Sequence, residues 1–307
     1  MVRLAVGDGR ESAPPGGGAP VGRRRLAVPA ICATLTVLTW PVPGLGATGR
    51  LDGSWVAALN LAAHRGLDFG TEVVFTYGPL GFLGFPRLYF GWTAALAFAY
   101  AVAVHASLCT TVFLLARRSW PAWVAAAMAF AGGALAGWTE LAEAMLIVLV
   151  LWCLAAAGGR LGPAPARRLL DAATVVAALH LLVKTSTGLV SLAVAVVVAW
   201  AVPPGGWRSV ARTSGLAAAA ALVGWLGSGG PVGALVPYGR RTLSVAAGYG
   251  AMALEEPKRA WEHIAAAVLV VALLGLAAVG RPGDRRRVAV IAATLVFLFL
   301  GFKRGFV

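Results

Sequence analysis

Charged residues are scarce in this sequence of 307 residues, since Asp, Glu, Lys and Arg make up only 12% of it. Hydrophobic residues make up 59%, and the mean hydropathy is +0.80. Both values exclude an ordinary soluble domain and predict a polytopic membrane protein. Apolar runs of helical length recur, whereas the alternating ten-residue strands of an outer-membrane barrel are absent. The predicted fold is therefore an all-α membrane bundle.

Cysteines are few, and common catalytic motifs are missing. Cys32, Cys109 and Cys153 fall inside apolar runs, which predicts small packing residues rather than a disulfide framework or a metal cluster. No P-loop, dinucleotide fingerprint, zinc site or nucleophile elbow is present, which argues against ATP-driven transport and soluble-type hydrolysis. The net charge of +14 does not indicate nucleic-acid binding, because the cations cluster between apolar runs.

The apolar runs predict about nine transmembrane helices, which follow a disordered basic tail at residues 1–25. The runs cover about 26–45, 89–116, 120–137, 143–159, 169–184, 187–203, 214–236, 263–280 and 287–302. Together they form one polytopic domain over 26–307, with long outer loops at about 46–88 and 237–262. The first run is favoured as an uncleaved anchor, with a cleavable signal peptide as the alternative. The ending FLGFKRGFV favours the front part of a longer protein over an outward-facing C-terminus.

The distribution of charge predicts the orientation in a cell membrane. Sixteen of the 26 Lys and Arg residues fall on one side of the predicted spans, and the positive-inside rule makes that side cytoplasmic. The N-terminus is on this side. Eight of the 12 acids fall on the other side, so acid chemistry is expected at the outer face.

The first outer loop has its own predicted organisation. Residues 55–65 predict a helix that follows a cap at Asp52 or Ser54 and ends at Gly66. Trp55, Leu59 and Ala62 share one face of it, whereas Asn60 and His64 share another. The helix is expected to lie along the membrane surface with Trp55 at the interface. Tyr77, Gly78 and Pro79 then predict a turn that leads to the second span.

An acid just after the first span, a surface helix ending in Gly, an aromatic and acidic connector and a Gly-Pro-Leu element resemble the first outer loop of GT-C glycosyltransferases. These polytopic enzymes use polyprenyl-phosphate-linked sugars. The resemblance implies that Asp52 is the general base that takes the proton of an acceptor hydroxyl as it attacks the anomeric carbon. The family usually has an acidic pair at this place, whereas Asp52 is followed by Gly53. Capping of the surface helix by Asp52 is the competing interpretation.

Other outer residues complete the predicted site. Glu140, at the mouth of the fourth span, is the second candidate catalytic acid, with a helix-start role as its alternative. Lys184 lies in a turn similar to the Lys-Pro/Thr-Gly turn of GT-C-like proteins, and it is predicted either to pair with the donor phosphate or to reach the lipid headgroups. Arg240 and Arg241 suit a phosphate. The predicted substrate-binding residues are Lys184, Arg240, Arg241, Tyr77 and His64.

The sequence predicts no certain cofactor. Asp52 and Glu140 could hold Mg²⁺ or Mn²⁺ if they converge. The predicted partners are the bilayer and a polyprenyl-phosphate sugar donor, and the oligomeric state is left open. A transporter or flippase is the alternative function, although the charges lie at helix ends rather than near the midplane. A membrane protein without catalytic activity is a further alternative.

Overall fold

The computed structural model describes residues 21–41, 44–46, 51–202 and 205–252. Over these residues the fold is all-helical, with isolated β-bridges and no strands. The helices are α1 (Val21–Leu38), α2 (Leu51–Arg65), α3 (Gly91–Ala116), α4 (Ala122–Ala136), α5 (Leu141–Ala157), α6 (Pro163–Leu181), α7 (Thr185–Ala201), α8 (Trp207–Gly227) and α9 (Leu235–Met252). Short 3₁₀ turns occupy Gly81–Gly84 and Val232–Ala234. The all-α prediction is confirmed for this part of the chain.

Two of the described helices, α3 and α8, are long and apolar enough to cross a bilayer. Four shorter apolar segments accompany them, in α1, α4, α5 and α7. Large apolar side chains are exposed on outward faces, among them Trp123, Leu135 and Val223. These features favour association with a membrane, whereas the nine spans stay a prediction.

The main core lies between α3, α5, α6 and α7, where Val104, Leu149, Val194 and Val198 are buried. A second core joins α1, α3 and α4 around Cys109 and Phe113. The three cysteines of the sequence are free and buried, as their apolar surroundings predicted. Because α3 to α8 are joined by short connections, successive helices run in opposite directions and their ends collect at two ends of the bundle.

The two ends differ in charge. At the arginine end, where α3, α5 and α7 finish, the described connections and helix starts carry Arg117, Arg118, Arg160, Arg167, Arg168, Arg208 and Arg212. Asp171 is the only acid in that part of the described chain, and it pairs with Arg212. The opposite end, here the loop end, holds α2 and the rest of the first loop, with Glu140, Lys184 and the start of α9.

Several boundaries differ from the sequence prediction. Helix α1 begins at Val21, within the tail predicted to be disordered, and residues 1–20 lie outside the described part. The apolar run at 214–236 is two helices, because Gly229, with φ of +85°, and Pro231 end α8 and redirect the chain. Residues 237–252 of the predicted last outer loop are helical, as part of α9. The runs at 263–280 and 287–302 lie outside the described residues.

Candidate functional site at the loop end

The first loop begins with α2, as predicted from the sequence. The helix ends at Arg65, and Gly66 follows it with φ of +64°, the left-handed conformation that ends many helices. Leu59 and Ala62 are buried on the face predicted to be apolar. Asn60, which the sequence placed on another face with His64, is also buried, and its amide donates to the Val56 carbonyl at 3.0 Å.

The aromatic residues of the loop pack on one another rather than facing outward singly. The Trp55 ring stacks on Tyr77 with a centroid distance of 5.2 Å and meets the Phe85 ring edge-on at 4.8 Å. The Phe75 ring lies 5.6 Å from Tyr77. Trp55, placed at a membrane interface by the sequence prediction, thus lies in an aromatic cluster that holds the return segment against α2.

The return segment pairs with the turn between α6 and α7. Tyr77 and Lys184 form an antiparallel bridge, with the Thr185 amide donating to the Thr76 carbonyl at 3.0 Å. At Gly78 an added Cβ would lie 2.4 Å from the Leu182 carbonyl oxygen. A larger residue cannot occupy this position without moving the backbone, so Gly78 allows the two segments to approach.

This pairing brings three predicted site residues together. Glu140 immediately precedes α5, and Lys184 immediately precedes α7. Lys184 forms a salt bridge with Glu140, and the Tyr77 hydroxyl donates to the same carboxylate oxygen at 3.0 Å. The Lys184 ammonium also lies 5.2 Å from the centre of the Tyr77 ring, within cation–π range. The Lys184 side chain is 15% exposed, against 42% for Glu140.

His180 lies one turn below Lys184 and is buried. Its Nε2 is 3.1 Å from the Ala142 carbonyl oxygen and 2.9 Å from Thr187 Oγ1, while its Nδ1 is 3.1 Å from the Tyr100 hydroxyl. Because a carbonyl can only accept, Nε2 carries the proton and Nδ1 accepts from Tyr100. The imidazole therefore ties α3 and the starts of α5 and α7 together directly beneath the ion pair.

Helix α9 lies over the same segment. Arg241 donates to the Gly70 carbonyl at 2.5 Å, and Thr242 donates to the Phe75 carbonyl at 3.2 Å. The Tyr238 hydroxyl lies 2.9 Å from Thr185 Oγ1, and burial raises the pKa of Tyr238. Gly70 permits this contact, since a Cβ there would come within 2.6 Å of the Tyr238 backbone.

The remaining predicted residues lie elsewhere or are only partly described. Asp52 belongs to the first turn of α2, one helical turn before Trp55, and its side chain lies outside the described residues. His64 stacks on Phe90 at 3.9 Å and accepts from the Trp92 indole, so it contacts the start of α3 rather than Lys184. Arg241 holds the first loop, whereas Arg240 is exposed beside it. The bonds described for Arg241 go to loop carbonyls, and those described for Glu140 come from Lys184 and Tyr77.

The two acids of the return segment help to form its turn, Asp68 through its backbone and Glu72 through its carboxylate. The Asp68 carbonyl accepts from the amides of Glu72 and Val73, and the Glu72 carboxylate accepts from the Asp68 amide at 2.8 Å. Arg87, later in the same loop, donates to the carbonyls of Gly44 and Gly46. Across the described side chains, no group of three His, Cys, Asp or Glu residues could hold a metal ion.

The sequence did not predict that Tyr238 of α9 lies against Thr185 in this region. The two residues are 53 positions apart, and a contact over that separation leaves no periodic pattern in the sequence. The clearest indication was the placement of Gly70 and Gly78 beside aromatic residues, since glycines in such segments often mark close backbone approach.

No protein-family model matches this chain, and searches of curated proteins and of solved structures find no match either.

Proposed function

We propose that the chain is a multi-pass membrane glycosyltransferase of the GT-C type, which transfers a sugar from a polyprenyl-phosphate donor at the loop end. The observation that carries this proposal is the meeting of Glu140, Lys184 and Tyr77 beneath an organised first loop. About nine spans would place the chain in the cell membrane with the N-terminus in the cytoplasm. The excess of arginine at the other end supports that orientation.

Lys184 supplies a cation for the donor phosphate. It stands where the start of α7 and the start of α5 meet, and helix N-termini favour negative charge. In the described structure Glu140 occupies this position as the anionic partner. Phosphate binding therefore requires that Lys184 exchange the Glu140 carboxylate for a phosphate oxygen, while the Tyr77 hydroxyl holds Glu140 in place.

Asp52 is the proposed general base. Its position on α2, one turn before the ring that stacks on Tyr77, supports a place near the pair. The carboxylate would take the acceptor hydroxyl proton as the acceptor oxygen bonds to the anomeric carbon. The bond from that carbon to the phosphate oxygen breaks, the phosphate keeps the electron pair, and the configuration inverts. Mg²⁺ or Mn²⁺ at Asp52 and Glu140 would need further oxygen ligands.

The experiment compares lipid-linked sugars and envelope glycans in strains that carry no gene, the wild type, Asp52→Asn or Lys184→Ala at equal protein levels. We expect accumulation of a lipid-linked sugar and loss of one glycan in the deletion strain and in both variants. Arg118→Ala, an exposed change at the opposite end of the bundle, is the control and should resemble the wild type. Identical glycans and lipid-linked sugars in the deletion and wild-type strains would sink the enzymatic proposal.

A membrane protein without catalytic activity is the competing function, and one observation favours it. Lys184 pairs with Glu140, and Arg241 binds loop carbonyls, so these cations already stabilise the fold. On this alternative Lys184→Ala lowers the protein level, whereas Asp52→Asn leaves the glycans unchanged. A transporter or flippase is distinguished by the leaflet in which the lipid-linked sugar accumulates. Loss of a flippase would leave the intact lipid-linked sugar in the cytoplasmic leaflet.

A further inference from the structure

Four arginines collect where α6 and α8 begin, at the arginine end and far from the proposed site. Arg167 and Arg168 lie near the start of α6, and Arg208 and Arg212 lie near the start of α8. The two helices contact each other. Asp171 offsets part of this charge through its salt bridge with Arg212 at 2.6 Å, in which the two side chains are 25% and 54% exposed.

A cleft lies between these two helices and the end of α7. The cleft is shallow and open to solvent, and the space that it encloses is about 20 Å³. Its polar lining consists of Arg167, Asp171, Ser209 and Thr213, and the two hydroxyl residues are buried at 8% and 3% exposure. Its apolar lining consists of Pro163, Ala166, Leu170 and Val202. The cleft thus places one arginine, one carboxylate and two hydroxyls beside an apolar wall, and Arg212 reaches its edge through Asp171.

We propose that this cleft binds the headgroup of an anionic phospholipid. Arg167 and Arg212 would hold the phosphate through charge-assisted hydrogen bonds. The acyl chains would follow the outward face of the first half of α8, where Ala218 and Ala219 are exposed, and Trp207 marks the interface at the start of that helix. Basic pockets between helices at a membrane surface are suited to such lipids. This proposal does not depend on a glycosyltransferase activity.

The test uses the full chain purified in detergent, with bound lipids counted by native mass spectrometry. Phosphatidylglycerol and cardiolipin are compared with phosphatidylcholine of the same acyl chains. We expect the anionic lipids to bind the wild type at least about tenfold more tightly, and the Arg167→Gln, Arg212→Gln double variant to lose about tenfold of that affinity. Asp171→Asn should bind anionic lipid more tightly than the wild type, because it removes the acid that competes for Arg212.

The matched control is Arg117→Gln with Arg118→Gln, which removes two cations from the same end but outside the cleft. This control variant should keep the wild-type preference for anionic lipid over phosphatidylcholine. Equal loss in both double variants would overturn the site in favour of a general surface charge effect. The lipid site would also be overturned if phosphatidylcholine bound as tightly as the anionic lipids. Complete displacement of the bound lipid by heparin, added at the same total negative charge, would overturn it as well. If the Arg167→Gln, Arg212→Gln variant fails to fold, the affinities of Asp171→Asn and of the Arg117→Gln, Arg118→Gln control for anionic lipid still test the site.

Discussion

A lysine paired with a glutamate at the start of two helices has two uses that compete for the same ammonium group. As a structural pair, Lys184 and Glu140 fix the α6–α7 turn against the start of α5. In the proposed function, the same ammonium group would bind a donor phosphate instead. The Tyr77 hydroxyl also donates to Glu140, so a change of partner at Lys184 would leave the carboxylate bonded to Tyr77.

The strength of this pair can be measured with a double-mutant cycle of Glu140→Gln and Lys184→Met. Each change should lower the free energy of unfolding, and the two together should cost less than their sum, with a coupling of about 0.5 to 1 kcal/mol because Glu140 is partly exposed. The amide oxygen of the introduced glutamine can still accept from the Tyr77 hydroxyl, so that bond is kept. Unfolding in mixed micelles gives the values.

Arg117→Gln, at the opposite end of the bundle, supplies the control for this cycle. It should be additive with Lys184→Met to within about 0.5 kcal/mol, as expected for distant sites. A coupling energy between Glu140 and Lys184 that is no larger than the coupling between Arg117 and Lys184 would contradict the salt bridge.

Gly188 allows the turn that presents Lys184. A Cβ at this position would lie 2.3 Å from the Leu181 Cα, and that backbone atom cannot move without separating α6 from α7. Gly188→Ala should therefore destabilise the protein by about 1 to 3 kcal/mol, as overpacking does in other cores. The apparent midpoint of thermal unfolding in detergent provides the measurement.

Gly215→Ala is the matched control for Gly188→Ala. Gly215 is also inside a helix, α8, but nothing lies within 4 Å of an added Cβ. The change should be neutral or raise stability by up to about 1 kcal/mol, because alanine is the better helix former. A similar loss of stability in both variants would show that close packing at Gly188 is not the cause.

At the scale of elements, the first loop and α9 behave as one unit. Arg241 and Thr242 bind loop carbonyls, and Trp225 and Tyr238 pack against the loop residues Phe69 and Tyr77 in one cluster. Tyr77 in turn bonds Glu140. The position of α9 therefore bears on the candidate site through the loop, although the described part of α9 does not contact the ion pair.

Arg241→Ala should loosen the loop without unfolding the bundle. Hydrogen exchange at the amides of residues 68–78 is expected to rise about tenfold, since losing a charge-assisted hydrogen bond costs roughly 1.5 kcal/mol. Arg240→Ala, one position away and exposed, should leave that exchange unchanged. Protection that is equal in the two variants would contradict the role assigned to Arg241.

Elements of this region differ in how well the sequence predicted them. The end of α2 at Gly66 was predictable because a glycine after an amphipathic stretch is a local signal. The division of 214–236 into α8 and a second helix also had a local cause, the Gly-Gly-Pro sequence at 229–231, but the apolar run concealed it. The partner of Lys184 was not predictable, since its contact with Glu140 spans 44 residues and depends on how α5 packs against α6 and α7.

At the scale of the whole molecule, charge separates the two ends. The described arginine end carries seven exposed or partly exposed arginines against Asp171, whereas acids and bases mix at the loop end. This asymmetry was visible in the sequence, because it requires only the order of the apolar runs. The identity of the neighbours at each end required the structure.

Cysteine labelling tests the orientation of the two ends. In a background without Cys32, Cys109 and Cys153, Asp68→Cys should react with a membrane-impermeant maleimide in intact cells, because Asp68 lies in the loop end. Arg208→Cys should react only after the membrane is permeabilised. Labelling of Arg208→Cys from outside would reverse the proposed topology and remove the support that it gives to an outer-face reaction.

The bond between Arg241 and the Gly70 carbonyl joins residues that lie 171 positions apart, which has a consequence for biogenesis. At ordinary synthesis rates, Gly70 leaves the ribosome about 10 to 35 s before its partner. The first loop must therefore wait on its side of the membrane until α9 arrives, exposing aromatic surface in the interval. We expect the candidate site to be the last part of the described chain to mature, and a natural point for a chaperone to engage the nascent protein.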